Sequence, residues 1–504
     1  MLVTFMEVLD TSIAVVSLPH IAGNLSAGID ESTWVLTSYL VSNAIVLPLS
    51  GWFSSLFGRK RFFMACVGVF MASSLLCGLA PTLPWLVVFR ILQGVGGGSM
   101  QPIAQAILAE SFPPRRRGMA MAVYAMGVVV APIVGPTVGG WITDNYSWRW
   151  IFFINVPVGM ISLLMASWVI EDPPYLIRRT FRTGLRIDYI GLALLSVGLG
   201  ALQIVLDKGQ REDWMESNFI LTLTIVTAAA LVALVFWELR QSQPVVELHL
   251  LKGRNFAVST ITMFALGFVL YGSTALLPIF LQTMLGYTAM LSGLVLSPGG
   301  LATMIALPVV GRLLGRFEPR WLVVIGVVAV VASLVQMSHF SLQVDFATAA
   351  WSRVVQGVGL AFLFVPINTM AFAPLARHQM NYASGLINLA RNIGGSCGIA
   401  FVTTVLARAA QVHQNHLVGH LSPLNPAYRN ALEGATGALT AAGSSPAEAA
   451  QQAQGLLYGG LVRESTMLAF VDNFRTLAIL FAFIIPLMFL MKKITPGKGP
   501  ALGH

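Results

Sequence analysis

Fourteen long apolar runs divide this 504-residue chain, and every second turn between them is loaded with Arg and Lys. Only helices that satisfy their own backbone hydrogen bonds can be packed into a bilayer at this density. Hydrophobic residues make up 56% of the chain and charged residues 10%. That is too little polar surface to keep a soluble protein of this length in water. An all-α polytopic membrane protein is the class that remains.

Apolar runs and their breakers place spans at 2–22, 34–57, 62–80, 85–109, 118–141 and 150–170. A pair follows at 187–206 and 218–238, and six more lie at 256–284, 290–315, 321–339, 347–374, 382–408 and 469–491. At ~1.5 Å per residue each crosses a ~30 Å hydrocarbon layer. Lys and Arg orient them. With the N-terminus inside, the inner turns hold 20 basic residues and the outer turns 5. The inner set runs from Arg59, Lys60 and Arg61 through Arg115–Arg117, Arg178, Arg179, Arg182 and Arg186, Arg240, Lys252 and Arg254, Arg312, Arg316 and Arg320, and Arg377, to Lys492, Lys493 and Lys498. Both termini are therefore expected in the cytoplasm.

The same asymmetry accounts for the net charge of +9, which lies along one membrane face and implies no nucleic-acid partner. Cys66, Cys77 and Cys397 sit in apolar spans without metal-like or disulfide-like spacing. No phosphate loop, catalytic triad or zinc spacing appears, so neither a cofactor, a metal nor a catalytic residue is expected. The first span lacks a basic leader region and carries Glu7 and Asp10, which reads as a retained helix.

Arg90-x-x-Gln93-Gly94-x-Gly96 recurs as Arg353-x-x-Gln356-Gly357-x-Gly359, and Gly51…Gly58-Arg59 recurs as Gly311…Gly315-Arg316. The copies align if residues 1–170 and 256–491 are two six-helix halves and 187–238 is an inserted transmembrane hairpin. Like-oriented halves with a site between them are a transporter architecture. Residues 409–468, inside the second half, form the one sizeable stretch outside the bilayer. Asn425-Pro426 and Ser445-Pro446-Ala447-Glu448 each predict a helix start there, the second as a capping box, giving two short Ala-rich helices.

Several motifs, taken in order, carry a family resemblance. They are Leu9-Asp10-Thr11-Ser12-Ile13, Gly51 to Lys60, Arg90-x-x-Gln93-Gly94, the Gly-Pro run holding Pro132, Gly135, Pro136, Gly139 and Gly140, and Trp148-Arg149-Trp150 to Asn155. The chain resembles the major facilitator superfamily, and within it the fourteen-span drug:proton antiporters of the EmrB type. Val15 stands where the first-helix signature has Asn, and Ser55 where the loop motif has Asp. The resemblance implies a conformational role for Gly51, Gly58, Arg59 and Lys60, and an exporter signature in the fifth span. It also implies an inner-membrane location, with an EmrA-type periplasmic adaptor and a TolC-type outer-membrane channel as partners.

A charged carboxylate at the depth of Asp10, about 12 Å into its helix, costs about 2.5–3.5 kcal/mol on the insertion scale. It needs a cavity, a partner or a proton. Burial favours the protonated acid and a nearby cation opposes it, so a moving partner can load and release a proton. Asp10 is expected to couple protons, Arg90 to tune it, and Glu7, one turn away on the same face, to assist. Arg353 is expected to be structural. Asn43, Gln101, Tyr124, Met126, Phe268, Tyr271, Asn368 and Asn388 are candidates for an adaptable substrate cavity. The reading is a proton-driven exporter of amphipathic small molecules. Its rivals are a transporter of one metabolite on the same fold and a non-transporting membrane sensor or scaffold.

Overall fold

The computed structural model describes residues 1–171, 188–241, 244–376 and 379–492. The first group of helices is α1 (Leu2–Asn24), α2 (Ile29–Ser32), α3 (Trp34–Phe57), α4 (Arg59–Leu79), α5 (Leu83–Gly97), α6 (Met100–Ser111), α7 (Pro114–Asn145), α8 (Trp150–Phe153) and α9 (Asn155–Val169). A pair follows, α10 (Tyr189–Lys208) and α11 (Asn218–Glu238). Then come α12 (Arg254–Thr283), α13 (Ala289–Leu313), α14 (Pro319–Met337), α15 (Phe346–Phe372), α16 (Met380–Val418), α17 (Pro426–Ala441), α18 (Pro446–Ala482) and α19 (Ile484–Phe489).

Among the described residues, eleven helices are long and apolar enough to cross a membrane, or thirteen if two bent pairs each count as one span. Those pairs are the two parts of α1 and of α7. The expected span 85–109 is built from α5 and α6, which part at Gly98 and Ser99. Arg90, Gln93, Gln101, Gln105 and a run of glycines interrupt the apolar run in this stretch. The glycines are packing devices: a Cβ on Gly94 would lie 2.0 Å from the Ser42 Oγ, and one on Gly96 2.6 Å from the Phe70 N. Backbones meet there as in small-residue membrane interfaces.

The outside of the bundle is apolar, as lipid requires. Trp168, Ile225, Phe236, Ile305 and Trp351 are all more than half exposed. Polar side chains turn inward instead, and Asn, Gln, Ser and Arg fill the interior. The basic turns gather at one end: Arg116, Arg312 and Arg316 line a common cleft, and Arg320 donates to the carbonyl of Met491 at 3.2 Å. Arg178, Arg179, Arg182, Arg186, Arg377, Lys493 and Lys498 lie outside the described residues, as do the side chains of Arg115, Arg117 and Pro136.

Helices α10 and α11 lie against each other, and α10 also packs on α3. Lys208 donates to the Thr33 Oγ1 at 2.6 Å, the Thr37 hydroxyl bonds Asp207, and Ser396 of α16 bonds Gln203 at 3.1 Å.

Both expected helix starts in 409–468 are present. The Asn425 side chain accepts from the Ala427 N–H, and Ser445 and Glu448 form a capping box. The second helix, however, is not short. With no proline between Pro446 and Pro486 to stop it, α18 runs 37 residues into the final span. Helix α16 is likewise 39 residues long, about 58 Å at ~1.5 Å per residue. Both therefore outrun the hydrocarbon layer, and α17 packs on the projecting end of α18.

Candidate functional site

Asp10 is 2% exposed, and four helices supply its surroundings. Arg90 of α5 donates through Nη1 to Oδ2 at 2.6 Å. Gln93, one turn further along α5, donates to Oδ1 at 3.0 Å, and Asn155 of α9 donates to the same oxygen at 2.6 Å. Arg90 is itself held by the Val35 carbonyl of α3 at 3.0 Å, by the Gln93 Oε1 at 2.7 Å and by the Tyr39 ring, 4.3 Å away. Among the described residues three donors face the Asp10 carboxyl, one on Oδ2 and two on Oδ1.

Glu7 has a separate set of neighbours. Asn43 donates to its Oε1 at 3.1 Å, while Oε2 is buried without a partner. Arg391 of α16, 1% exposed, bonds the Gln101 Oε1 and lies 5.9 Å over the Phe364 ring. The Tyr124 hydroxyl and the Arg391 Nε are buried without partners. Three helices, α1, α7 and α16, thus each bring a buried polar atom without a hydrogen-bond partner to this cluster.

Between this cluster and the basic end, Gln105 of α6 joins the first helices to the last. Its Oε1 accepts from Ser384 at 2.7 Å and from Asn388, and its Nε2 donates to Asn368. Asn381 donates to the Ser54 Oγ at 3.2 Å, and Ser384 also bonds the Pro102 carbonyl at 2.8 Å. Gly51 lies against Tyr382, where a Cβ would stand 2.8 Å from the ring. In this conformation the basic end is closed.

The loop motif is placed around that closure. Gly58 takes φ 84°, which a side chain would resist, and turns α3 into α4. Arg59 holds Glu110 of α6 with two bonds of 2.9 Å. Ser55, standing where the resembled motif has Asp, bonds among the described residues the Trp52 carbonyl of its own helix. Lys60 donates to the Ser167 carbonyl at 2.6 Å. The fifth-span motif packs on α1: a Cβ on Gly135 would lie 2.5 Å from Ser12, and one on Gly139 2.8 Å from Ile13. Ser12 donates to the Pro132 carbonyl at 3.2 Å, and Gly140 is half-buried.

Among the cavity candidates, Asn43, Gln101 and Tyr124 belong to the Glu7 cluster and Asn368 and Asn388 to the Gln105 seam. Tyr271 lines a small cavity with Arg353. Met126 and Phe268 are half-buried, the latter 5.3 Å from the Phe401 ring.

The profile of the Major Facilitator Superfamily matches residues 1–399. The chain belongs to this superfamily. Multidrug export protein EmrB of Haemophilus influenzae is 41% identical over 84% of this facilitator and 82% of the relative. Fatty acid resistance protein FarB of Neisseria gonorrhoeae is 38% identical over 100% of this chain and 96% of its own. Colistin resistance protein EmrB of Acinetobacter baumannii is 30% identical over 94% and 92%. The human organic anion transporter MFSD10 shares the fold at TM-score 0.59 and 12% identity, covering 96% of this chain and 98% of that one. The proton:xylose symporter XylE does so at TM-score 0.58 and 14% identity, covering 96% and 94%. The facilitator fold and a transporter rather than an enzyme follow.

Sequence reasoning missed Gln105, Arg391 and the part played by Asn155. Each had a visible signal: Gln105 lies one turn beyond Gln101 in an apolar span, Arg391 is an intramembrane cation, and Asn155 sits within a motif already noted.

Proposed function

We propose that this facilitator is a proton-coupled antiporter that exports amphipathic, mainly hydrophobic drugs or other toxic small molecules. The observation that carries the reading is the buried Asp10 carboxylate, held by donors from α5 and α9 and charge-paired with Arg90. Asp10 takes up the proton, Arg90 answers its change of charge, and Glu7 provides a second carboxyl one turn away. The names of relatives sharing most of the chain, for multidrug export, fatty acid resistance and colistin resistance, support the substrate range. One inward proton at ~150 mV supplies about 3.5 kcal/mol, enough for a gradient of about 300-fold.

On this reading the chain has fourteen spans, with halves at 1–170 and 256–491 and the hairpin 187–238 between them. It sits in the inner membrane with both termini in the cytoplasm, so the basic end is cytoplasmic. The ends of α16 and α18, together with α17, then project into the periplasm. They offer a docking surface for an adaptor of the EmrA type, itself coupled to a TolC-type channel. The polar residues of the Glu7 cluster and the seam line the substrate path when the halves part.

A transport panel in cells lacking their own pumps, using dyes, uncouplers and hydrophobic acids, tests the reading. Resistance that collapses with the proton gradient supports it, and accumulation unchanged by expression of the chain refutes it. Deleting 430–460 is expected to abolish resistance in cells while leaving substrate-driven proton movement in reconstituted vesicles. Surviving resistance would remove the docking role.

A further inference from the structure

At the position of Asp10 the two copies of the internal repeat differ in charge. In the first copy Asp10 stands 80 residues before Arg90 and 83 before Gln93, and bonds both. In the second copy the register is kept: Gln356 bonds Ser273, 83 residues before it, at 2.9 Å. The residue 80 before Arg353 is therefore the same Ser273, and where the first copy has a carboxylate the second has a hydroxyl.

Arg353 is left as a buried cation, 6% exposed. It bonds the Gln356 Oε1 and, at 3.3 Å, the Thr274 Oγ1, both neutral, and its Nε is buried without a partner. Among the described residues no carboxylate pairs with it, unlike Arg90 with Asp10 or Arg59 with Glu110. An uncompensated guanidinium within a membrane is costly and needs an anion. It also has somewhere to put one. Arg353 lines a cavity of about 40 Å³ between α7, α12, α13 and α15, walled by Val128, Pro132, Leu270, Tyr271 and Leu296. That is room for about three water-sized positions, or for a carboxylate, and too little for a whole amphiphile.

The geometry points to Arg353 as the anchor of an anion subsite. It receives the carboxylate head of an amphipathic monoanion, in the position Asp10 holds toward Arg90, while the apolar walls meet the first carbons of the body. A planar fork of donors facing a planar carboxylate is the matching chemistry. The wall contributed by Pro132 and Val128 belongs to the fifth-span helix, so an occupied subsite lies on the seam that must shear during transport. This inference rests on the export reading and names one substrate class within it.

The test is equilibrium binding to the purified full chain in lipid nanodiscs, with no proton gradient. Three probes share one ring system and differ in charge: 2-naphthoate, 2-naphthylmethanol and 2-naphthylmethylammonium. Arg353→Gln removes the charge, Arg353→Lys keeps it, and Ser273→Asp leaves Arg353 in place but gives it a built-in anion. Naphthoate binding is expected to weaken about ten- to hundredfold in Arg353→Gln and Ser273→Asp and to recover in part in Arg353→Lys. The alcohol and the ammonium are expected to bind as before. Melting curves report whether each variant folds, and Ser273→Asp carries the test should Arg353→Gln not fold. Wild-type naphthoate binding in folded variants would overturn the inference, as would equal weakening of all three probes in Ser273→Asp. The result is separable from coupling. Loss of Arg353 dependence with proton exchange intact removes only the subsite, whereas loss of proton exchange with charge-selective binding intact removes only the antiport reading.

Discussion

Replacing Gln105 by Leu keeps the volume of the side chain and removes every hydrogen bond through which it joins α6 to α15 and α16. Three are lost: those from Ser384 and Asn388 and the one to Asn368. Hydrogen bonds between membrane helices average about 0.6 kcal/mol each, so the closed basic end loses about 1.8 kcal/mol. At 1.4 kcal/mol per decade the closed-to-open ratio falls roughly 20-fold. A ratio of about 100:1 would become about 5:1, which a distance distribution resolves. Spin labels at Phe57, which is exposed at the end of α3, and at Ala376, just beyond α15, report the opening. Cys66, Cys77 and Cys397 are replaced by Ala. A longer-distance population that grows in Gln105→Leu, with the protein still folded, supports the seam as the latch. An unchanged distribution would refute it and assign the closure to packing such as Gly51 against Tyr382.

Glu110→Gln leaves Arg59 facing a neutral partner at the foot of α4. The transport rate is expected to fall several-fold while substrate affinity is kept, and a rate equal to wild type would exclude this pair from the cycle. At the start of α18 the Ser445 hydroxyl and backbone N–H hold the Glu448 carboxyl below the usual carboxylate range. Because that folded value is depressed, the cap is present above the ordinary carboxylate range and is lost as pH falls through and below it. Amide exchange at 447–452, corrected for its intrinsic pH dependence, should speed up in acid and in Ser445→Ala, and protection independent of both would contradict this. A reporter active only outside the cytoplasm should work at position 435 and fail at 182, and a signal at 182 would overturn the fourteen-span scheme.

Much of the fold was legible because a bilayer allows few solutions: long apolar runs must be helices, and basic turns must share a side. What the sequence concealed came from finer forces. The run of glycines and glutamines that joins helices at close quarters also dilutes the hydropathy of α5 and α6. The extension of α18 into the final span was hidden because a capping box announces a start and says nothing of length. At the site, the Asp10–Arg90 pair was readable from an intramembrane acid and cation with one motif each. The donors Gln93 and Asn155 could not be ranked, since which polar group of an apolar span faces an acid is decided by helix rotation. Arg353 was read as structural, and the hydroxyl in the place of an acid becomes informative once the copies are superposed by their hydrogen bonds.

The central claim is that Asp10 carries the exchanged proton. Asp10→Asn keeps the size of the side chain and one acceptor oxygen, turns an NH2 toward one of the three donors, and removes the charge and the titrating group. The measurement is substrate export into a pH gradient by the purified protein in vesicles, with proton release on substrate addition recorded alongside. The account predicts that Asp10→Asn binds substrate and equilibrates it downhill, yet neither concentrates it against a gradient nor releases a proton. Uphill export and proton release equal to wild type would contradict the account and move the coupling site to Glu7.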